Sequence, residues 1–188
     1  MTQKAPHEDA LPRVVILLRG INVGAHHRAS MAEVAAALED AGFSDVRTLL
    51  QSGNIVARTS LLSTEVSRVA SEALGQRLGF SVPAVACAAD TFLRVTEQHP
   101  LDTPGRDDRL LTVAFSEPAI STDMVAASSL AAASEDEIRA IPPVLYQWCP
   151  HGVSNAVNVV LALDRATGGV ATLRNWRTLQ KIRAVLST

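Results

Sequence analysis

The sequence predicts an α+β fold of two subdomains, the first ferredoxin-like (βαββαβ) and the second a related α/β sandwich. Three observations carry this. Strand-like and helix-like runs alternate in that order over residues 14–88, serines and glycines punctuate them, and a charged, proline-bearing stretch lies near the middle of the chain. The expected organisation is a flexible tail over 1–12, a ferredoxin-like subdomain over 13–98 and a second α+β subdomain over 99–188.

Val14 to Arg19 is short, rich in β-branched residues and ended by Gly20, which predicts a strand. Ser30-Met31-Ala32-Glu33 has capping-box spacing, with Glu33 placed to reach back to the Ser30 amide. The following helix puts Val34, Ala37, Leu38 and Ala41 on one face and stops at Gly42. "VRTLL" and "NIVART" are strand-like runs joined across Gln51-Ser52-Gly53, a hairpin signal because glycine supplies the positive φ such turns need. Ser63 is the expected cap of a second helix facing inward through Val66, Val69, Ala70, Ala73, Leu74 and Leu78 and ending at Gly79. "VPAVACA" supplies the fourth strand and completes the split βαβ arrangement.

"EQHPLDTPGRDDR" (97–109) is the predicted boundary. Beyond it "LLTVAF" reads as a strand, with a helix over about 123–130 and two short strands flanking Pro142-Pro143. A helix near 154–163 and a last one over about 175–186 follow, the latter capped by Thr172 or Asn175 and anchored by Trp176.

Composition bounds the function classes. With 47% hydrophobic and 19% charged residues the chain has the material for a core. A net charge of −2 and a pI near 6.2 argue against a protein built to neutralise a nucleic-acid backbone. The first and third strands also lack the aromatics on which RNA-recognition modules stack bases. The N-terminus has neither the charged n-region nor the apolar h-region of a signal peptide, and Val14–Leu18 is too short to cross a bilayer. With Cys87 and Cys149 far apart and no CxxC pair, the expected location is the cytoplasm with reduced thiols. The first strand is apolar on both alternating faces, so both are expected to be covered. Helices cover one, and residues 100–188 or a second copy of the chain in a homodimer cover the other.

The chain resembles a widespread bacterial family of uncharacterised proteins classed as a domain of unknown function. The resemblance runs along nearly the whole chain through "LLRGINVG" (17–24), Met31, "GF" and "VRT" (42–48), "QSGN" (51–54), "VAFSEP" (113–118), the Pro150/Gly152 pair and "TLRNWRT" (172–178). It implies a two-subdomain α+β fold and brings no activity, cofactor or substrate. The chain departs from the family pattern at Ala25, where a second glycine is usual. It departs again at Ser154-Asn155-Ala156-Val157, where a Gly-Arg-Ser-Lys-like run is usual, and this weakens any phosphate grip in the second half.

The glycine-rich loop "RGINVGAHHR" (19–28) invites a phosphate reading, but its spacing matches neither standard version. A Walker A loop needs four residues between its glycines and then Lys-Ser/Thr, whereas Gly20 and Gly24 are separated by three. The dinucleotide fingerprint is absent as well. The predicted topology puts the end of the first strand beside the start of the third, with the helix at Ser30 directed to the same edge. Arg19, Gly20, Asn22, Gly24, Gln51, Ser52 and Asn54 are therefore the candidate binding residues for a small anion or nucleotide phosphate, with Arg174 contributed by the other half. The competing reading makes the glycines turn residues and Asn22 and Asn54 their Asx-type braces. The protein is then a non-catalytic structural or interaction module whose motif residues brace its two halves. No nucleophile–base pair, cofactor motif or metal set stands out. Adjacent His26 and His27 cannot fill a metal site by themselves, and Cys149 beside His151 reads as a half-buried cysteine at a strand end.

Overall fold

The computed structural model describes residues 11–24, 27–134 and 137–187. Ala25, His26 and most of the expected N-terminal tail lie outside the described residues. The chain divides into two compact units between Phe92 and Leu93.

The first unit runs β1 (Arg13–Leu18), α1 (Met31–Asp40), β2 (Ser44–Leu49), β3 (Asn54–Arg58), α2 (Ser63–Leu78) and β4 (Ala84–Ala88), and α3 (Ala89–Val95) begins directly after it. Its sheet has the order β2-β3-β1-β4, with every neighbouring pair antiparallel. Element order and sheet order are both compatible with a ferredoxin-like arrangement. Val14, Ile16 and Leu18 of β1 pack with Ile55 and Ala57 of β3 against Val34 and Leu38 of α1 and Val66, Ala70 and Leu74 of α2. Val15 and Leu17, on the alternate face, are buried too, as expected for a strand apolar on both sides.

Two serines of α2 serve the sheet rather than a helix end. The Ser67 hydroxyl accepts from the Ala86 amide at 2.9 Å, and the Ser71 hydroxyl accepts from the Ala84 amide at 2.9 Å. Outward-facing amides of edge strand β4 are thereby satisfied, which blunts the edge against pairing with another strand. Ser63, the expected cap of this helix, is instead its first residue, and Leu62 holds the cap position without a side-chain bond. The chain turns one residue early because the Thr59 hydroxyl takes the Leu61 amide.

The second unit repeats the plan with β5 (Leu111–Glu117), α4 (Thr122–Ala126), β6 (Ile138–Ile141), β7 (Val144–Trp148), α5 (Val159–Thr167), β8 (Val170–Asn175) and α6 (Trp176–Leu186). Its sheet order, β6-β7-β5-β8, is that of the first unit strand for strand. The chain is thus an α+β protein of two similar subdomains. The helix expected near 154–163 is split into a 3-10 turn at Val153–Asn155 and α5, which starts where the Asn158 carboxamide oxygen accepts from the Leu161 amide. α4 is shorter than the expected 123–130, and α3 has no counterpart in the sequence reading, because its run of seven residues, "ADTFLRV", is too brief for a helical period. Asn175, not Thr172, caps α6 by accepting from the Thr178 amide, and Trp176 is buried as its anchor.

Two consecutive glycines before β8 have different reasons to be there. Gly168 ends α5 at φ +66° with open space around it, whereas a Cβ on Gly169 would meet the carbonyl oxygen of Glu117, which pairs with Val170. Gly168→Ala is therefore expected to cost about 1 kcal/mol, the ordinary penalty of a left-handed residue. Gly169→Ala is expected to cost roughly 3 kcal/mol, because backbone must move to admit the methyl group. Urea denaturation of the two variants checks the order, and equal losses would show that the β5–β8 contact yields freely.

Candidate functional site

At the end of β1 the Leu18 amide donates to the Gly53 carbonyl at 2.8 Å, and the Arg19 amide donates to Pro83 at 2.9 Å. The chain then leaves the sheet through Gly20, at φ +72°, and Asn22, at φ +56°. Gly53 sits at φ +72° directly on this exit. A Cβ there would lie 2.7 Å from the Leu18 Cβ and 2.8 Å from the Ile21 Cγ2. "LLRGIN" and "QSGN" are therefore interlocked at backbone level, in a space that only glycine fits.

Asn22 pins the two segments and the start of α1 together. Its side-chain amide donates to the Ala29 carbonyl at 3.0 Å and to the Gln51 carbonyl at 2.9 Å, while its oxygen accepts from the Ala29 amide at 2.9 Å. Asparagine suits this place because it tolerates the left-handed region and offers both donor and acceptor atoms. Asn54 is fully buried, and its amide donates to the Leu49 carbonyl at 3.0 Å and the Ser52 hydroxyl at 3.1 Å, closing the hairpin. Leu50, which lies in that hairpin at φ +60°, holds a strained conformation for a branched side chain.

The start of α1 faces the same edge, as the topology predicts, but its own carboxylate occupies it. The Ser30 hydroxyl accepts from the Glu33 amide at 3.1 Å, and the Glu33 carboxylate accepts from the Ser30 amide at 2.9 Å. The bonds from Ser30 hold the Glu33 carboxyl below its ordinary range, so it carries full negative charge at neutral pH. An open concavity of about 510 Å³ lies here, lined by Asn22, Arg28, Ala29, Ser30, Glu33 and Gln51. Arg28 donates to the Gly24 carbonyl at 3.1 Å and stays exposed.

Of the residues singled out from the sequence, Asn22 and Gln51 line the concavity. Gly20 and Gly24, both at positive φ, shape the loop in front of it, and Ser52 and Asn54 bond to one another within the hairpin. Arg19 is partly buried at the strand end. Arg174 belongs to the second unit, where it stands opposite Val113 on β8 and donates to the Thr172 hydroxyl at 2.7 Å and the Leu173 carbonyl at 2.9 Å. Desolvation pushes its guanidinium down to about 10. Arg28 and Glu33, which line the concavity, and Ile21, which walls Gly53, are not among the candidate binding residues read from the sequence. Glu33 was legible as half of a capping box, and that box already announces an anion at the helix start.

The tempting thiol and histidines go elsewhere. Cys149 is fully buried rather than half-buried, and burial raises its thiol, as suits a packing residue. His27 stacks on Phe80 with centroids 4.8 Å apart. Among the described residues no group of three or more His, Cys, Asp or Glu is placed to hold a metal ion, and no helix is long and apolar enough to cross a membrane.

Comparison with known proteins agrees with this architecture. None of the curated proteins matches the chain. A solved structure of a conserved bacterial protein from Streptococcus pneumoniae is similar at a TM-score of 0.68, with 20% sequence identity, over 94% of this chain and 99% of that one. At that identity the likeness shows the fold alone. The profile of a family described as "Protein of unknown function (DUF1697)" matches residues 11–146. The chain therefore belongs to the DUF1697 family of proteins of unknown function.

Proposed function

We propose that the protein is a non-catalytic structural or interaction module, in which the motif residues of the 19–24 and 51–54 segments lock one edge of the first unit into a rigid shape. The observation that carries this reading is the engagement of Asn22. Its side chain makes three internal hydrogen bonds, to Ala29 twice and to Gln51, and so is committed to holding the loop. Asn54 and Gly53 support it in the same sense, one buried and internally bonded, the other wedged against Leu18 and Ile21.

A second reading keeps the small anion, or nucleotide phosphate, at the same edge. The concavity of about 510 Å³ and the exposed Arg28 favour it. The ionised Glu33 across that concavity opposes it, since like charges in one site repel. The two readings part on measurable ground. The structural one expects no rise in melting temperature when inorganic phosphate, nucleotides or phosphorylated metabolites are added. It expects Asn22→Gly, which keeps the positive φ and deletes the brace, to cost about 1–3 kcal/mol through the unpaired groups left behind. A phosphate-dependent rise that Glu33→Gln strengthens and Arg28→Ala abolishes would replace the structural reading with the anion one.

A further inference from the structure

His99 is a buried titratable group in the second unit. Its ring is 1% exposed and sits in the second unit, edge-on to the Tyr146 ring at 5.0 Å and to the Trp176 ring at 5.2 Å between centroids. Both ring nitrogens have a committed partner. Nδ1 accepts from the Leu101 amide at 3.2 Å, and Nε2 lies 3.1 Å from the Thr112 carbonyl oxygen. A carbonyl only accepts, so Nε2 carries the hydrogen and Nδ1 is bare. The ring is neutral because of its partners as well as its burial. A second proton has one place to go, Nδ1, where it would face the Leu101 N–H.

What hangs on those two bonds is the connecting segment ahead of β5. Leu101 is buried, and its carbonyl takes a hydrogen bond from Arg106, whose guanidinium lies over the Trp148 ring at 4.8 Å. His99 thus joins residues 99–106 to the central strand of the second sheet at Thr112. We propose that His99 is a proton-sensitive latch: its neutral ring holds this segment on β5, and protonation at mildly acidic pH releases it.

The surrounding groups set the direction. Between His99 and β5, Asp102 and Asp108 favour a proton on the ring and Arg106 opposes it. The Thr112 carbonyl on β5 also favours it. On β7 the Tyr146 hydroxyl is turned away to donate to the Val95 carbonyl at 2.7 Å, and α6 presents the uncharged Trp176. Desolvation outweighs all of these and lowers the His99 value. The closed form therefore binds fewer protons than the open one. Its stability is fully present above the ordinary histidine value and is lost as pH falls from there toward the lowered one.

Hydrogen exchange of the full chain between pH 7.5 and 5.0, corrected for intrinsic rates, tests the latch. In the wild type the opening equilibrium of residues 99–110 should grow as pH falls below about 6.5, by up to tenfold per pH unit until the lowered value is reached. In His99→Gln, whose amide offers one donor and one acceptor without titrating, it should stay flat. Equal pH dependence in both proteins, or none in the wild type, overturns the proposal. If His99→Gln fails to fold, the wild type decides. Its only two tryptophans are Trp148 and Trp176, which touch Arg106 and His99, so their emission reports this region alone. The latch requires the emission to change together with the His99 imidazole resonances. A His99 that titrates in place, with constant emission, refutes it.

Discussion

Gly53 lies so close to Leu18 and Ile21 that no side chain fits, and its carbonyl receives the Leu18 amide at 2.8 Å. That approach fixes where the chain must leave β1, because the exit and the hairpin occupy the same space. Once the exit is fixed, the left-handed Gly20 and Asn22 follow, and the Asn22 side chain falls within reach of Gln51 and Ala29 together. Ala29 in turn delivers the chain to Ser30, where the capping box starts α1. One contact without room for a methyl group thus sets the loop, the hairpin and the first helix in register.

The same chain of constraints recasts the chemistry of this edge. Glycines next to a helix start suggest an anion cradle, and the electrostatics of a helix N-terminus make the suggestion reasonable. Here Glu33 already supplies the negative charge, and the Asn22 and Asn54 side chains are spent on bonds within the loop and the hairpin. What remains open to solvent is a concavity whose charged lining, among the described residues, is the cation Arg28 and the anion Glu33.

Much of this was legible in the residues. The Ser30/Glu33 capping box, the strand–glycine–strand hairpin and the α1 face of Val34, Ala37 and Leu38 are local patterns, and local physics decides them. The first and third strands could be placed side by side because split βαβ connections leave little choice. The interlock was not legible, since the meeting of Gly53 with Ile21 is a contact of tertiary structure with no periodic signature. Nor was the role of Ser67 and Ser71: mid-helix serines look neutral until the edge of β4 is brought beside them. The identical strand order of the two units is likewise invisible residue by residue, because strand order is set by long-range pairing and leaves no repeat in the residues.

A double-mutant cycle of Gly53→Ala with Ile21→Ala measures the tight approach of Gly53 to the β1 exit most directly. Ile21→Ala removes the Cγ2 that a new Cβ at position 53 would strike. Gly53→Ala should therefore cost less in the Ile21→Ala background than in the wild type, by about 0.5 kcal/mol or more in urea denaturation. Losses that simply add, to within about 0.3 kcal/mol, would mean that Ile21 does not close the space over Gly53, and would contradict an interlock between the loop and the hairpin.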